Sequence, residues 1–369
     1  MTIPYYSDGL VSLYHGDCRE VLPTVNPGSI DVLLTDPPYF QVKDDDWDRQ
    51  WRKQDDFLTW LGGILDLTKP RLTQSASVWV FASPLMVRRV EDLVGDRFRV
   101  LNSIRWVKES GHHKKMEIQT QRRYLTPWEG IVFAEQYHEL WGEQDDALHR
   151  EVFAPIGQYI VGERERAGLS RKEFATRLPG YKNVDSASAN VWNWELGKNR
   201  IGAADYAAAR AALGTGFLTR GHDDLCREWV ALTATYEARR RPFQLARTGP
   251  VTDLWTFPKL EAYPGKHPCE KPASMIRHML STSTRPGATV LDPFAGSCST
   301  LRVCKELGLR GIGIESDERY CDHAAQRLSQ EIMIVPDGAT GDQSRLVDVQ
   351  SVSGHVQGVL DFQDAGAAS

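Results

Sequence analysis

The chain has 369 residues, 41% of them hydrophobic and 25% charged, enough for a large buried core divided among two or three units. Its net charge of -5 argues against an all-over basic nucleic-acid binder, and no uninterrupted apolar stretch approaches the roughly 20 residues that a membrane span needs. No basic stretch followed by an apolar run stands at the N-terminus, so a cytoplasmic location is the default.

The first region, residues 1–135, alternates β-rich runs with helical patterns. "IDVLLT" reads as a strand, and the two prolines of "TDPPYF" stop it, because neither can donate to a sheet ladder. An acid, Asp36, and a ring, Tyr39, are thereby held at a stiff strand end. "QDDFLTWLGGILDLT" has a helical period, and "SVWVFA", "VLNSIRWV" and "GIVFA" follow as strands, the rhythm of a parallel sheet with crossover helices. Basic residues gather here: Arg105, Lys108, His112, His113, Lys114, Lys115, Arg122 and Arg123. Such a patch can hold phosphates in spite of the acidic total, since screening confines each charge to about 8 Å; a solvated face is the alternative reading.

From 136 to 250 the strand rhythm breaks, Ala, Arg and Glu become frequent, and a helical insertion is the simplest reading. Ser170 and Glu173 form a capping box at the start of one helix, and Gly197 is a natural stop for another expected over 186–196. Trp192 and Trp194 are expected to pack against neighbouring helices. The rhythm resumes over 251–333 with "ATVLDPF" and "LRGIGIES", and the Gly/Asp/Ser-rich stretch 334–369 reads as a tail with little periodicity. In "VLDPFAGSCSTLRVCKELG" an apolar strand runs into a small-residue turn and a helix starting near Ser299, so backbone N–H groups face a ligand beyond the strand end. Gly296 permits close approach, and Glu315 ends the next strand about 20 residues later, where a carboxylate commonly holds ribose hydroxyls. The six cysteines contain no CxxC pair, and the histidines show no ligand spacing; reduced thiols and no metal are expected.

Together "TDPPYF", "KHPCEKP" and "LDPFAGSCST" followed by "GIES" resemble the S-adenosylmethionine-dependent amino methyltransferases of DNA. Their order resembles the β group of that family, in which the catalytic motif precedes the cofactor motif. The resemblance covers about 10–135 and 250–330. It implies a Rossmann-like α/β core with a mostly parallel seven-stranded sheet, interrupted by a helical target-recognition domain. It implies catalytic roles for Asp36, Pro37, Pro38 and Tyr39 around a flipped base. Cofactor contacts fall to Asp17, with Cys18 beside it, and to Lys271, Asp292, Phe294, Gly296, Ser297 and Glu315. Asp17 and Glu315 read equally as helix caps, and Lys271 as a surface charge. Cys298 departs from the pattern, standing where the family usually has a second glycine; a side chain there could crowd the backbone approach and weaken cofactor binding, though cysteine is small. Asp36 favours adenine N6 over cytosine N4 as the target, since the cytosine enzymes more often carry serine there.

Within the insertion, 156–213 resembles a phage-repressor helix-turn-helix, though "PGYKNVDSAS" lengthens the connection beyond the usual 3 to 4 residues. That resemblance gives Ser188 and Asn190 to base edges and Arg171 and Lys172, with Arg122 and Arg123, to phosphates. The expected partner is double-stranded DNA, with a homodimer left open. The alternatives are a cytosine-N4 enzyme and a DNA-binding regulator whose methyltransferase core is inactive.

Overall fold

The computed structural model describes residues 3–40, 50–108, 122, 124, 126–136, 144–245, 249–258 and 270–330. The chain divides into two compact units, Met1–Gln136 with Pro242–Ser369, and Tyr137–Arg241.

The first unit is built on one mixed sheet. Its strands are β1 (Tyr6–Ser7), β2 (Val11–His15), β3 (Ile30–Thr35), β4 (Leu72–Ala82), β5 (Arg99–Val107), β6 (Trp128–Glu135), β7 (Leu254–Thr256), β8 (Thr289–Asp292) and β9 (Arg310–Glu315). They lie side by side in the order β1-β2-β9-β8-β3-β4-β6-β5-β7. The sheet therefore has nine strands rather than the expected seven. Two edge strands of only two and three residues, β1 and β7, are too short to show a period in the sequence. The run β2-β9-β8-β3-β4 is parallel, whereas β6 runs antiparallel to both β4 and β5.

The alternation along each strand sorts its residues between two apolar layers, as a sheet covered on both faces requires. On β4, Trp79 and Phe81 enter one layer while Val78, Val80 and Ala82 enter the other. The helices Ala273–Ser283, Ser299–Glu306 and Glu318–Ser329 cover the first layer through residues such as Met279, Leu301 and Ala324. The helices Gln54–Thr68 and Val87–Gly95 cover the second through Leu61, Leu65 and Val90. Because the five parallel strands end on the same side, the loops after β3, β8 and β9 converge on one edge. The antiparallel β6 brings its first residues to that edge, with Gly130 paired to Ala82 at the end of β4.

The second unit is helical among its described residues: Gln144–Arg166, Arg171–Thr176, Val184–Glu195, Ala203–Leu213 and His222–Arg239. Its core includes Ile156, Phe174, Ala175, Val191 and Trp194. Ser170 and Glu173 make the reciprocal capping box. The next helix starts at Val184 because the Asn183 side chain accepts the Ser186 N–H at 2.8 Å, so it opens two residues earlier than expected. It ends on Gly197 at φ 66°, whose N–H reaches the Trp194 carbonyl while that of Lys198 reaches Asn193, a Schellman closure. Trp192 departs from expectation: it is 45% exposed, with the Arg171 guanidinium 4.0 Å from its ring centroid, because Val191 and Trp194 already fill the buried face of the helix.

Candidate active site

The prolines after β3 act as the sequence suggests: the strand stops at Thr35, and Asp36 stands just beyond it. Its Oδ2 receives the Lys271 ammonium, while Oδ1 is buried and has no hydrogen-bond partner. Burial holds the Asp36 carboxyl above the usual carboxylate range and the charge of Glu129 adds to that shift, while Lys271 and the Tyr39 hydroxyl, which also lies within reach of Asp36, oppose it. Lys271 is 7% exposed and also lies 3.7 Å from Glu129 Oε2, with Tyr39 and Phe81 rings 5.2 and 4.9 Å from its Nζ. The Tyr39 hydroxyl donates to Glu129 Oε2 at 3.2 Å, and Lys108 pairs with Glu129 Oε1. Lys271 is thus neither a surface charge nor free to face a cofactor with its whole ammonium.

A cavity of about 460 Å³ runs from this loop to the ends of β8 and β9. Pro37, Pro38 and Tyr39 line one end, and Phe294, Gly296, Ser297 and Glu315 the other. Asp292 also borders it, its carboxylate accepting the Phe294 N–H at 3.1 Å and the Thr300 hydroxyl at 2.6 Å. Burial pushes the Asp292 carboxyl up to about 7. Glu315 accepts the N–H groups of Gly296 and Asp317, each at 2.8 Å, which fixes the turn after β8 against the end of β9. Burial likewise raises the Glu315 carboxyl above its usual range.

Other expected residues lie elsewhere. Asp17 caps the helix Cys18–Val21 and is held by Arg19 at 2.5 Å, so its carboxylate serves the cap and borders no part of the cavity. Cys18 is buried in the apolar layer. Cys298 adopts the left-handed backbone, φ 57° and ψ 31°, and this conformation is why glycine suits the position. Its side chain is 1% exposed in the core and does not line the cavity. In the helical unit Arg171 is bound to the buried carboxylate of Glu195 at 2.7 Å, alongside Arg164 at 2.5 Å. That pairing takes Arg171 from the free phosphate contacts expected of it, whereas Lys172 is exposed and Ser188 and Asn190 are partly exposed. Arg122 is exposed; Arg123 and the 334–369 tail lie outside the described residues.

The residue that sequence reading missed is Glu129. It opens β6 after Trp128 with no motif around it, and only the antiparallel direction of that strand carries it to the edge where Asp36 stands. A charged residue directly ahead of the apolar run "GIVFA" was the one available signal.

A doubly covered α/β sheet whose strand ends hold both a cofactor-sized cavity and a buried acceptor has the architecture of the α/β enzymes that bind ligands at their strand ends. The chain belongs to the DNA methylase family N6_N4_Mtase, which matches residues 30–326. It is 24% identical over 349 residues to the Type II methyltransferase M2.DpnII of Streptococcus pneumoniae, covering 90% of this chain and 94% of that protein. It is 21% identical over 341 residues to the DNA adenine methyltransferase YhdJ of Escherichia coli (strain K12), covering 90% of each. Its fold is like that of the PvuII DNA methyltransferase (cytosine-N4-specific), with a TM-score of 0.52, 13% identity, and coverage of 91% of this chain and 90% of that one. The methyl donor of the family is S-adenosylmethionine, and the cavity suits it in size. Among the described residues no helix is long and apolar enough to cross a membrane, and no His/Cys/Asp/Glu group is arranged to hold a metal.

Proposed function

We propose that the protein methylates the N6 amine of adenine at a specific site in duplex DNA, with the target base turned out of the helix into the cavity. The observation that carries this reading is Asp36 Oδ1, a buried oxygen left without a partner at the cavity wall. An exocyclic amine shares its lone pair with the ring and is a poor nucleophile until acceptors draw its N–H groups into a geometry that localises the pair on nitrogen. Asp36 Oδ1 accepts one N–H and the Pro37 carbonyl the other; Pro37 has no N–H of its own to compete. Tyr39 and the rigid double proline offer the base a flat wall. Stacking on an aromatic is worth roughly 1 to 3 kcal/mol, which offsets much of the few kcal/mol that extruding a base costs. Glu315 and the Gly296 turn hold the cofactor, which when bound supplies an electrophilic methyl group. The proton released by the amine is taken up at Asp36, whose buried carboxyl sits above the usual range and so accepts it readily.

Adenine is favoured by the aspartate at position 36 and by the likeness to a protein named a DNA adenine methyltransferase. Cytosine N4 is the second reading, because its amine needs the same acceptors and the fold is shared with a cytosine-N4-specific enzyme. The helical unit is assigned to target recognition, with Asn190 reading a base edge and Lys172 gripping phosphate. The Type II names of relatives favour a place beside a restriction nuclease. Expression in a methylation-free host, followed by hydrolysis of its DNA to nucleosides, tests the choice of base. N6-methyladenine is expected, and finding only N4-methylcytosine overturns it.

A further inference from the structure

We infer that Glu129 is a positioning residue for methyl transfer: it holds the Tyr39 hydroxyl and shares the Lys271 ammonium with Asp36, so that Asp36 remains an effective acceptor. The inference deepens the reading above and rests on its assignment of Asp36 to the target amine.

The geometry is a chain of four charges. Lys271 lies between two carboxylates, paired to Asp36 Oδ2 and 3.7 Å from Glu129 Oε2, and Lys108 completes the chain at Glu129 Oε1. The Asp36, Lys271 and Glu129 side chains are 18%, 8% and 14% exposed, and Lys108 is 27% exposed, so the chain runs from the cavity toward solvent. Burial alone pushes the Glu129 carboxyl up, yet Lys271 and Lys108 together hold it below its usual range, so it stays charged in this setting. The register makes the placement rigid: Glu129 faces Trp106 of β5 and precedes Gly130, which pairs with Ala82 of β4. A side chain added at Gly130 would lie 2.9 Å from Val87 Cβ, so β6 cannot slide without a clash at this edge.

Two consequences follow from electrostatics. An ammonium bound to Asp36 alone would cancel much of the negative potential that the amine must meet as positive charge develops on it; a second carboxylate draws part of that ammonium away. And because Glu129 Oε2 serves both Lys271 and the Tyr39 hydroxyl, the ring that meets the base and the acid that meets its amine are set by one side chain. A misplacement of about 1 Å at such a point costs on the order of 10²-fold in rate.

The test uses the full chain and two duplex oligonucleotides bearing the motif found by modified-base sequencing: one with adenine at the target position for the single-turnover rate, and one with 2-aminopurine there, which has no N6 amine to methylate, to report flipping alone. Glu129→Gln keeps an oxygen for Tyr39 and removes the charge. It should lower the single-turnover rate about 10²-fold, leave S-adenosylhomocysteine affinity unchanged, and move the acid limb of the rate to lower pH. The direction follows because the charge of Glu129 raises Asp36, and losing it lets Asp36 stay ionised further into acid; Lys271 and Asp292, the other charged groups facing Asp36, are the same in both proteins. Tyr39→Phe, which removes only the hydroxyl, should weaken the 2-aminopurine signal and be non-additive with Glu129→Gln. An unmoved acid limb in Glu129→Gln, or a rate loss that merely tracks falling cofactor affinity, overturns the inference. Should Glu129→Gln fold poorly, full flipping and full rate in Tyr39→Phe overturn it instead. Asp36→Asn separates the two levels: if that variant keeps its rate, the amine-acceptor reading itself fails, whatever Glu129 does.

Discussion

Asp36 carries two different demands, since one oxygen is spent on Lys271 and the other is left for the substrate. Asp36→Ala should therefore abolish transfer while leaving S-adenosylhomocysteine affinity nearly intact, because the residue faces the amine rather than the cofactor. Isothermal titration beside a tritium-transfer assay checks both halves. Asp292 makes a prediction about stability instead. Its carboxyl, ordinarily near 3.8, is raised by burial to about 7 in the folded protein, so the fold binds a proton there that the unfolded chain gives up. The sign is that Asp292 costs stability as pH rises from about 4 to 7. Asp292→Asn should thus gain on the parent in urea unfolding at about pH 8 relative to about pH 5. Equal gaps at the two values would remove burial of the charge as the cause. At this scale much of the site was legible: the strand stop at Pro37, the acid and ring beside it, and the Gly296 and Glu315 pair follow from local sequence, and all border one cavity. Glu129 was not legible, because its place depends on the direction of a strand, which no local pattern states. Asp17 suits a cap and an adenine contact equally by its local sequence, and its place in the fold makes it the cap.

Among the elements, the turn from β8 into the helix Ser299–Glu306 shows how a departure from a motif is absorbed. Cys298 sits at φ 57° with its Sγ buried, so the position pays the left-handed penalty of about 1 to 2 kcal/mol yet fills core volume. Cys298→Gly removes the strain and the buried sulfur together. Its melting temperature should stay within the few degrees that about 1 kcal/mol represents, and cofactor affinity should be retained. A branched residue, Cys298→Val, should lower the melting temperature clearly, because branching at Cβ is poorly tolerated at positive φ. The strands that the sequence showed are those buried on both faces, such as Ile30–Thr35, where continuous apolar runs leave little choice. The helix Val184–Glu195 begins two residues ahead of its sequence signal because its cap is Asn183, which looks no different from the polar residues around it. The size of Trp192 suggests burial, whereas a guanidinium on its face makes partial exposure tolerable.

For the whole molecule, chemistry and site choice are assigned to different units, and variants should divide accordingly. Asn190→Ala should relax the methylated consensus at one position without changing cofactor affinity, a contact of this kind being worth roughly 1 to 3 kcal/mol of discrimination. Lys172→Ala should weaken binding evenly across sites and lessen its salt dependence. Arg171→Ala should behave differently from both, lowering the stability of the helical unit, because it strips a partner from the buried Glu195. Modified-base sequencing with each variant checks the pattern; an unchanged consensus with Asn190→Ala would move base reading elsewhere. The two-unit division was visible as a change of rhythm, while the sheet order was not, since pairing between distant strands leaves no mark on either one. The core unit also treats its interruption in a particular way. At the departure point the Gln136 N–H donates to the Ala76 carbonyl at 3.0 Å, and at the return point Pro242 borders a small hollow shared with Ser75. Leaving and rejoining beside consecutive residues of one strand, the 137–241 segment can be lost, lengthened or exchanged in descent with no strand of the sheet having to move. On the assignment of target recognition to this unit, a lineage carrying such a joint would acquire a new address on the genome in a single recombination event and keep its chemistry untouched.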